Sequence, residues 1–291
     1  MRELSEPDGA LKLPDGRLLS YRIYGPKNGV PCFYFHGFPG SRLEAGYAEA
    51  PGLRLIAVDR PGYGKSSARP GRRLTDWPLD IAALADGLGL ERFSLLGISG
   101  GAPYALACAW ALGDRIRKTA IVCGIGPPEA RGMDQGMMAR LLKAGRLRFA
   151  YMPLALLARL RLRSRGGEEW FLEFRRRIRE RTGNGVPKEA AAATDAFSRH
   201  LYRSWQEGFR HSTSGLISDA RIYASKWPFA LHEVKATVHL WHGVDDRIVP
   251  VDVGHYYSAL LPNVETHIEE GEGHFSVILN SLPAIARKLT E

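Results

Sequence analysis

The pentapeptide Gly97-Ile98-Ser99-Gly100-Gly101 follows the apolar run Phe93-Ser94-Leu95-Leu96 and precedes a helix-forming stretch from Pro103 to Trp110. A serine hydroxyl is a poor nucleophile. On a sharp strand-to-helix turn it stands clear of neighbouring side chains, where a base can reach its proton. Glycines two residues to either side let the backbone pass closely without a Cβ clash. The bland alternative is a plain strand–helix turn, and the rest of the chain decides between the two.

Partners for Ser99 follow in order. Asp246 stands in His242-Gly243-Val244-Asp245-Asp246-Arg247-Ile248-Val249-Pro250, after the apolar run Val238 to Trp241. His274 stands in Gly271-Glu272-Gly273-His274-Phe275-Ser276, which reads as a loop ahead of a terminal helix. With His36-Gly37-Phe38-Pro39-Gly40 and Asp59-Arg60-Pro61-Gly62-Tyr63-Gly64-Lys65-Ser66, these motifs make the chain resemble the α/β-hydrolase superfamily. The resemblance runs from about Leu11 to the C-terminus and is weakest between Pro127 and His211.

That resemblance implies an α/β fold: a mostly parallel sheet covered by helices on both faces, with an inserted α-helical cap. It divides the chain into a core of residues 1–126 and 212–291 and a cap of residues 127–211. Ser99 becomes the nucleophile, and His274 the general base that later acts as general acid. In similar sequences the catalytic aspartate stands four residues after the histidine of His-Gly and four before a proline, which selects Asp246 over its neighbour Asp245. The oxyanion donors become the backbone N–H groups of Gly100 and Phe38. No metal or organic cofactor is implied. A serine at this turn argues against the epoxide hydrolases and haloalkane dehalogenases of the superfamily, which use a carboxylate.

The expected reaction is hydrolysis of carboxylic esters of small molecules through an acyl-Ser99 intermediate. The same triad also serves carbon–carbon hydrolases, peptidases, perhydrolases and slow-turnover ligand receptors. Fold likeness does not choose among them.

The strand and helix periods agree with this architecture. Leu11 to Leu13, the turn Pro14-Asp15-Gly16, and Arg17 to Tyr24 read as a hairpin. Pro31–Phe35, Leu53–Val58, Phe93–Gly97, Ala120–Cys123, Val238–Trp241 and Val264–Ile268 read as short strands, the pattern of a parallel sheet buried on both faces. Asp76–Leu90 and Ser281–Leu289 read as helices. Between Pro127 and His211, Leu141, Leu142, Phe149, Leu154, Leu156 and Leu157 recur at helical spacing, followed by Trp170, Phe171, Phe174 and Ile178. The Trp170–Arg181 helix is expected over the mouth of a pocket, with Trp170 and Phe174 on one face and Arg175, Arg176 and Arg177 turned mainly to solvent.

Charge narrows the partners. The 291-residue chain carries a net charge of +9, and the whole excess lies within residues 131–181. The remainder is neutral, which excludes a chain built throughout to bind nucleic acid. A solvated helical face is the expected role of these arginines; attraction of acidic substrates or of an anionic membrane surface, and a homo-oligomer contact, are the other readings open to them. Gly62-Tyr63-Gly64-Lys65-Ser66 imitates the end of a phosphate-binding loop, but Asp59 stands where that pattern needs a glycine. His36 reads as a loop anchor, and Cys32, Cys108 and Cys123 read as buried free thiols. The charged, turn-rich start of the sequence and the lack of an 18-residue apolar run lead to an expected cytoplasmic location.

Overall fold

The apolar runs become strands because both faces of the sheet are covered. The computed structural model describes residues 8–135, 148–182 and 188–291. Strands β1 (Gly9–Lys12), β2 (Leu18–Tyr24), β3 (Val30–Phe35), β4 (Leu53–Val58), β5 (Phe93–Ile98), β6 (Ile116–Val122), β7 (Val238–Gly243) and β8 (Val264–Glu269) form one sheet in the order β1-β2-β4-β3-β5-β6-β7-β8. β1 and β2 form the expected hairpin, and β2 runs antiparallel to β4. All pairings from β4 through β8 are parallel.

Successive side chains on each strand serve opposite faces. Phe33, Phe35, Leu95, Ile121 and Leu240 pack into one core with helices α1 (Trp77–Gly87) and α2 (Ala102–Leu112). Cys32, Tyr34, Leu96, Val122 and Trp241 pack into the other, against the C-terminal helix. Between β6 and β7 every regular element among the described residues is helical: α3 (Arg148–Arg163), α4 (Gly167–Thr182), α5 (Lys188–Gly208), α6 (Ser214–Tyr223) and a short 3₁₀ turn. Phe171, Phe197, Leu201, Phe209 and Leu216 give these helices a third apolar cluster. Leu141 and Leu142 lie outside the described residues.

After α7 (Val251–Leu260) and β8 comes α8 (His274–Thr290). This last helix corrects the sequence reading. It begins at His274, not Ser281, so His274 is its first residue and not part of a loop. The Ser276 hydroxyl accepts the Gly273 N–H at 2.9 Å and caps the first turn. Pro283 sits inside the helix and masks its continuity from sequence periodicity.

Chain direction around β3 positions the site. From β3 the next parallel strand, β4, lies to one side, and β5 lies to the other. The loops leaving β3 and β5 therefore diverge at their carboxyl ends and open a crevice between them. The loop after β3 carries His36, Gly37 and Phe38; the turn after β5 carries Ser99. Among the described residues, no helix is long and apolar enough to cross a membrane.

Candidate active site

The turn at Ser99 is as tight as its glycines suggest. Ser99 has φ 51°, in the left-handed region that a non-glycine residue occupies only under constraint. A Cβ on Gly101 would lie 2.0 Å from the Phe35 carbonyl oxygen, so no larger residue fits there. Ser99 is buried, and its Oγ lies 3.1 Å from His274 Nε2. His274 Nδ1 donates to Asp246 Oδ2 at 2.7 Å. The other carboxylate oxygen of Asp246 accepts the backbone N–H groups of Ile248 and Val249 at 2.8 and 2.9 Å, which fixes the carboxylate plane. Asp245 is exposed. The structure thus brings together Ser99, His274 and Asp246, and leaves Asp245 outside.

The two expected oxyanion donors are set by their own peptide units. A peptide is planar and trans, so holding its carbonyl on one side aims the next residue's N–H to the other. The Ser99 carbonyl accepts the Ile125 N–H at 3.1 Å, which turns the Gly100 N–H the opposite way. Arg60 Nη2 holds the Gly37 carbonyl at 2.9 Å, and Arg60 Nη1 holds the His36 carbonyl. The Phe38 N–H is turned away from Arg60 accordingly. A Cβ on Gly100 would lie 3.1 Å from Phe38 N, so the two donors lie close together.

Arg60 is itself anchored. It pairs with the fully buried Asp219 at 2.8 Å. Asp219 also accepts from the hydroxyls of Tyr63 at 3.0 Å and Tyr104 at 2.5 Å, and from Arg72. Burial pushes the Asp219 carboxyl up, and the Arg60 and Arg72 guanidinium groups pull it down further, so it stays ionised. The Tyr223 hydroxyl, 3.2 Å from Asp219, donates to the Gly100 carbonyl at 2.7 Å. Sequence reading missed this network. Arg60 and Asp219 lie 159 residues apart, and no local pattern couples them.

Glu44 was also missed. Its Oε1 accepts the Gly37 N–H at 2.7 Å and the Tyr34 hydroxyl at 2.9 Å. Burial pushes its carboxyl up to about 7 despite those hydrogen bonds. His36 serves as the expected anchor: buried, with Nδ1 2.9 Å from the Gly37 carbonyl oxygen and its pKa held down by burial. His242 donates Nε2–H to the Val249 carbonyl at 2.8 Å and lies 3.5 Å from Asp246 Oδ2. Burial keeps His242 neutral, so it supports the Asp246 loop without competing for its charge. The buried Cys123 thiol lies 3.8 Å from His274 Nε2. The loop resembling a phosphate site is folded on protein instead: Lys65 donates its backbone N–H to Asp59 at 3.0 Å, and Arg42 pairs with Asp59 at 2.7 Å.

Ser99 and His274 open into a cavity of about 360 Å³. Phe38, Tyr47 and Phe275 line it from the strand side; Leu154, Phe174, Phe197, Leu201 and Phe209 line it from the helices. Trp170 and Phe174 stack at 5.7 Å, on one face as expected. The three arginines do not behave alike. Arg176 and Arg177 are exposed and pair with Glu173. Arg175 is 2% exposed and reaches the cavity, with its Cζ 3.5 Å from the centre of the Phe275 ring. The expectation that all three face solvent is corrected for Arg175. On a helix it shares a face with the buried Phe171, four residues before it, and Ile178, three after.

Similarity to known proteins extends over the whole chain. A non-heme chloroperoxidase from Streptomyces lividans is 25% identical over 273 residues, 91% of this chain and 92% of its own. A putative proline iminopeptidase from Mycoplasma pneumoniae is 24% identical over 310 residues, 99% of each chain. A solved α/β-hydrolase fold protein from Nakamurella multipartita superposes with a TM-score of 0.70 at 21% identity, covering 98% of this chain and 99% of its own. Residues 31–281 match the alpha/beta hydrolase fold family as a whole, from β3 into α8. The chain belongs to the α/β-hydrolase fold family.

Proposed function

We propose that the protein hydrolyses carboxylic esters of small molecules through an acyl-Ser99 intermediate, with residues 127–211 acting as a cap over a core of residues 1–126 and 212–291. The observation that supports this reading is the continuous line from Ser99 Oγ through His274 to Asp246, opening into an apolar cavity.

His274 Nε2 takes the Ser99 proton as Oγ attacks the ester carbonyl. Asp246 holds the Nδ1–H tautomer and stabilises the imidazolium that forms. The developing oxyanion receives the N–H groups of Gly100 and Phe38, donors already in position before charge develops. His274 then gives its proton to the leaving alkoxide, and the alcohol departs. A water molecule, deprotonated by His274, repeats the attack on the acyl carbon and frees Ser99. The Ser99 proton thus leaves with the alcohol, and the proton His274 takes from water is returned to Ser99 Oγ as the acid departs.

The test uses 4-nitrophenyl esters of graded acyl length in rapid-mixing kinetics. One equivalent of 4-nitrophenol released in a burst, followed by steady turnover, is the expected course, with the acyl mass recovered on the Ser99 peptide. A burst without turnover identifies a ligand receptor. Ser99→Ala is expected to abolish burst and turnover; activity within tenfold of the parent overturns the assignment.

A further inference from the structure

The cavity above Ser99 holds one cationic side chain from the cap helices among its described lining residues. Cavity-lining residues from these helices are otherwise apolar or aromatic: Leu154, Phe174, Phe197, Leu201, Trp205 and Phe209 lie around the same space. The strand side brings ionisable groups of its own. His274 is held between Ser99 and Asp246, and the Glu44 carboxyl is turned to the Gly37 N–H and the Tyr34 hydroxyl.

Arg175 is different in kind. It lies on α4 beside Arg176 and Arg177, which form surface pairs with Glu173 of ordinary helical spacing. Arg175 alone is turned inward. Its guanidinium lies over the ring of Phe275, the residue next to His274. Such stacking engages the face of the guanidinium, whose N–H donors lie in its plane and suit a carboxylate's two oxygens. In a cavity of low polarity a fixed positive charge discriminates strongly between an anion and a neutral isostere, and it repels cations. A second observation is independent of the first: the whole +9 excess of the chain lies in residues 131–181, the stretch that carries α4.

We propose that Arg175 is a specificity determinant that selects esters bearing a carboxylate, so that the substrates of this enzyme are monoanionic esters. This rests on the ester-hydrolase reading of the same site. Arg175 binds the carboxylate and takes no part in bond making; the charge fixes which end of the substrate lies under α4.

Two matched ester pairs test this, because the carboxylate can stand on either side of the scissile bond. On the acyl side the pair is 4-nitrophenyl hydrogen adipate and its methyl-capped diester. On the alcohol side it is 4-(butanoyloxy)benzoate and its methyl ester. kcat/KM is measured for all four, with uncatalysed rates subtracted, for the parent, Arg175→Met and Arg175→Lys. The parent is expected to favour the free carboxylate at least tenfold in one pair or both. Arg175→Met is expected to erase that preference, and Arg175→Lys, which keeps the charge and loses the fork, to retain part of it.

Equal rates or a preference for the capped ester in both pairs overturn the proposal and leave ester hydrolysis standing. A preference that survives in Arg175→Met removes Arg175 as its cause. If Arg175→Met does not fold, Arg175→Lys decides: the preference must fall yet persist. If none of the four esters is turned over, the ester reading fails separately. Arg175 is then judged by calorimetry of the full chain with monomethyl adipate against dimethyl adipate, with tenfold tighter binding of the anion as the supporting result and equal binding as the contrary one.

Discussion

The loops at the carboxyl ends of β3 and β5 and the helices α3, α4 and α5 meet at one cavity, but they are built differently. The loops are fixed by backbone. Carbonyls of His36, Gly37, Ser99 and Gly100 are each held by a named donor, and the donors rest on buried Asp219 or on the sheet. These helices line the cavity with side chains and pack on one another through Phe171, Phe197 and Leu201. They join the loops at a few polar points: Ser204 accepts the Ser41 N–H at 2.9 Å, His200 Nε2 lies 2.7 Å from the Leu43 carbonyl, and Glu207 pairs with Arg42 at 2.8 Å. Backbone groups cannot be exchanged by mutation, whereas side chains can. One region can therefore keep a reaction constant while the other changes what reaches it. Substitutions among the loops should depress activity on every substrate alike; substitutions on the helices should re-rank substrates.

The largest effect belongs to the loops. Asp246→Asn keeps an oxygen for the Ile248 and Val249 N–H groups but turns an amide N–H₂ toward His274 Nδ1, which forces the wrong tautomer. A loss of about 10⁴ in kcat is expected for every ester, against less than threefold for the exposed Asp245→Asn. If the two rank the other way in steady-state assays, the acid has been misassigned.

Glu44 supplies the next. Its carboxyl titrates near 7 in the folded protein and near 4.5 when unfolded. Between those values the folded state holds a proton that the unfolded state has released. Stability conferred by that proton is complete below about pH 4.5 and is lost as pH rises through 7, in total about 3 kcal/mol. Glu44→Gln cannot titrate, so its denaturation midpoints at pH 5 and pH 8 should lie closer together than the parent's. An unchanged gap between the two pH values counts against this account. A smaller effect follows at Tyr223, whose hydroxyl holds the Gly100 carbonyl. Tyr223→Phe should lower kcat by about fivefold, the worth of one hydrogen bond of about 1 kcal/mol, with KM steady. A change confined to KM would place Tyr223 in substrate binding instead.

The contrast between regions also explains what the sequence could tell. Ser99 and its glycines were legible because a sharp turn needs residues without Cβ at short, fixed spacings. Asp246 was legible against Asp245 through its distance from His242 and Pro250. Strand positions followed from apolar runs, and β6 began at Ile116, four residues earlier than read, because Arg117 and Lys118 near the strand's start broke the apolar pattern. Arg60, Asp219 and Glu44 left no such trace, since tertiary folding alone joins them to the loops. Arg175 left a faint one. Three consecutive arginines read as a solvated face, yet only position 175 falls in line with Phe171 and Ile178. Helical angle, not residue type, held the information.

The smallest expected effects test the helices themselves. Phe174 lines the cavity, stacks on Trp170 and is 37% exposed, so it borders the cavity without being locked in a core. Phe174→Ala should move the preferred acyl length of neutral 4-nitrophenyl esters by about two carbons while changing the best kcat/KM less than tenfold; removing a partly buried ring adds space and takes away contact with the chain at once. Arg176 and Arg177, on the same helix, point away. Reversing both to glutamate disrupts exposed pairs with Glu173, which water and salt screen, and should leave turnover of soluble neutral esters within twofold of the parent. The two variants separate a helix that sorts substrates from one that docks on lipid. If the outward arginines hold the protein on an anionic surface, the parent binds anionic vesicles in a salt-sensitive way, and the double reversal abolishes that binding. In that case α4 faces a membrane before it faces a substrate, and the chain-length shift of Phe174→Ala should appear only with esters presented in vesicles. A shift seen equally with esters free in solution assigns the sorting to the cavity.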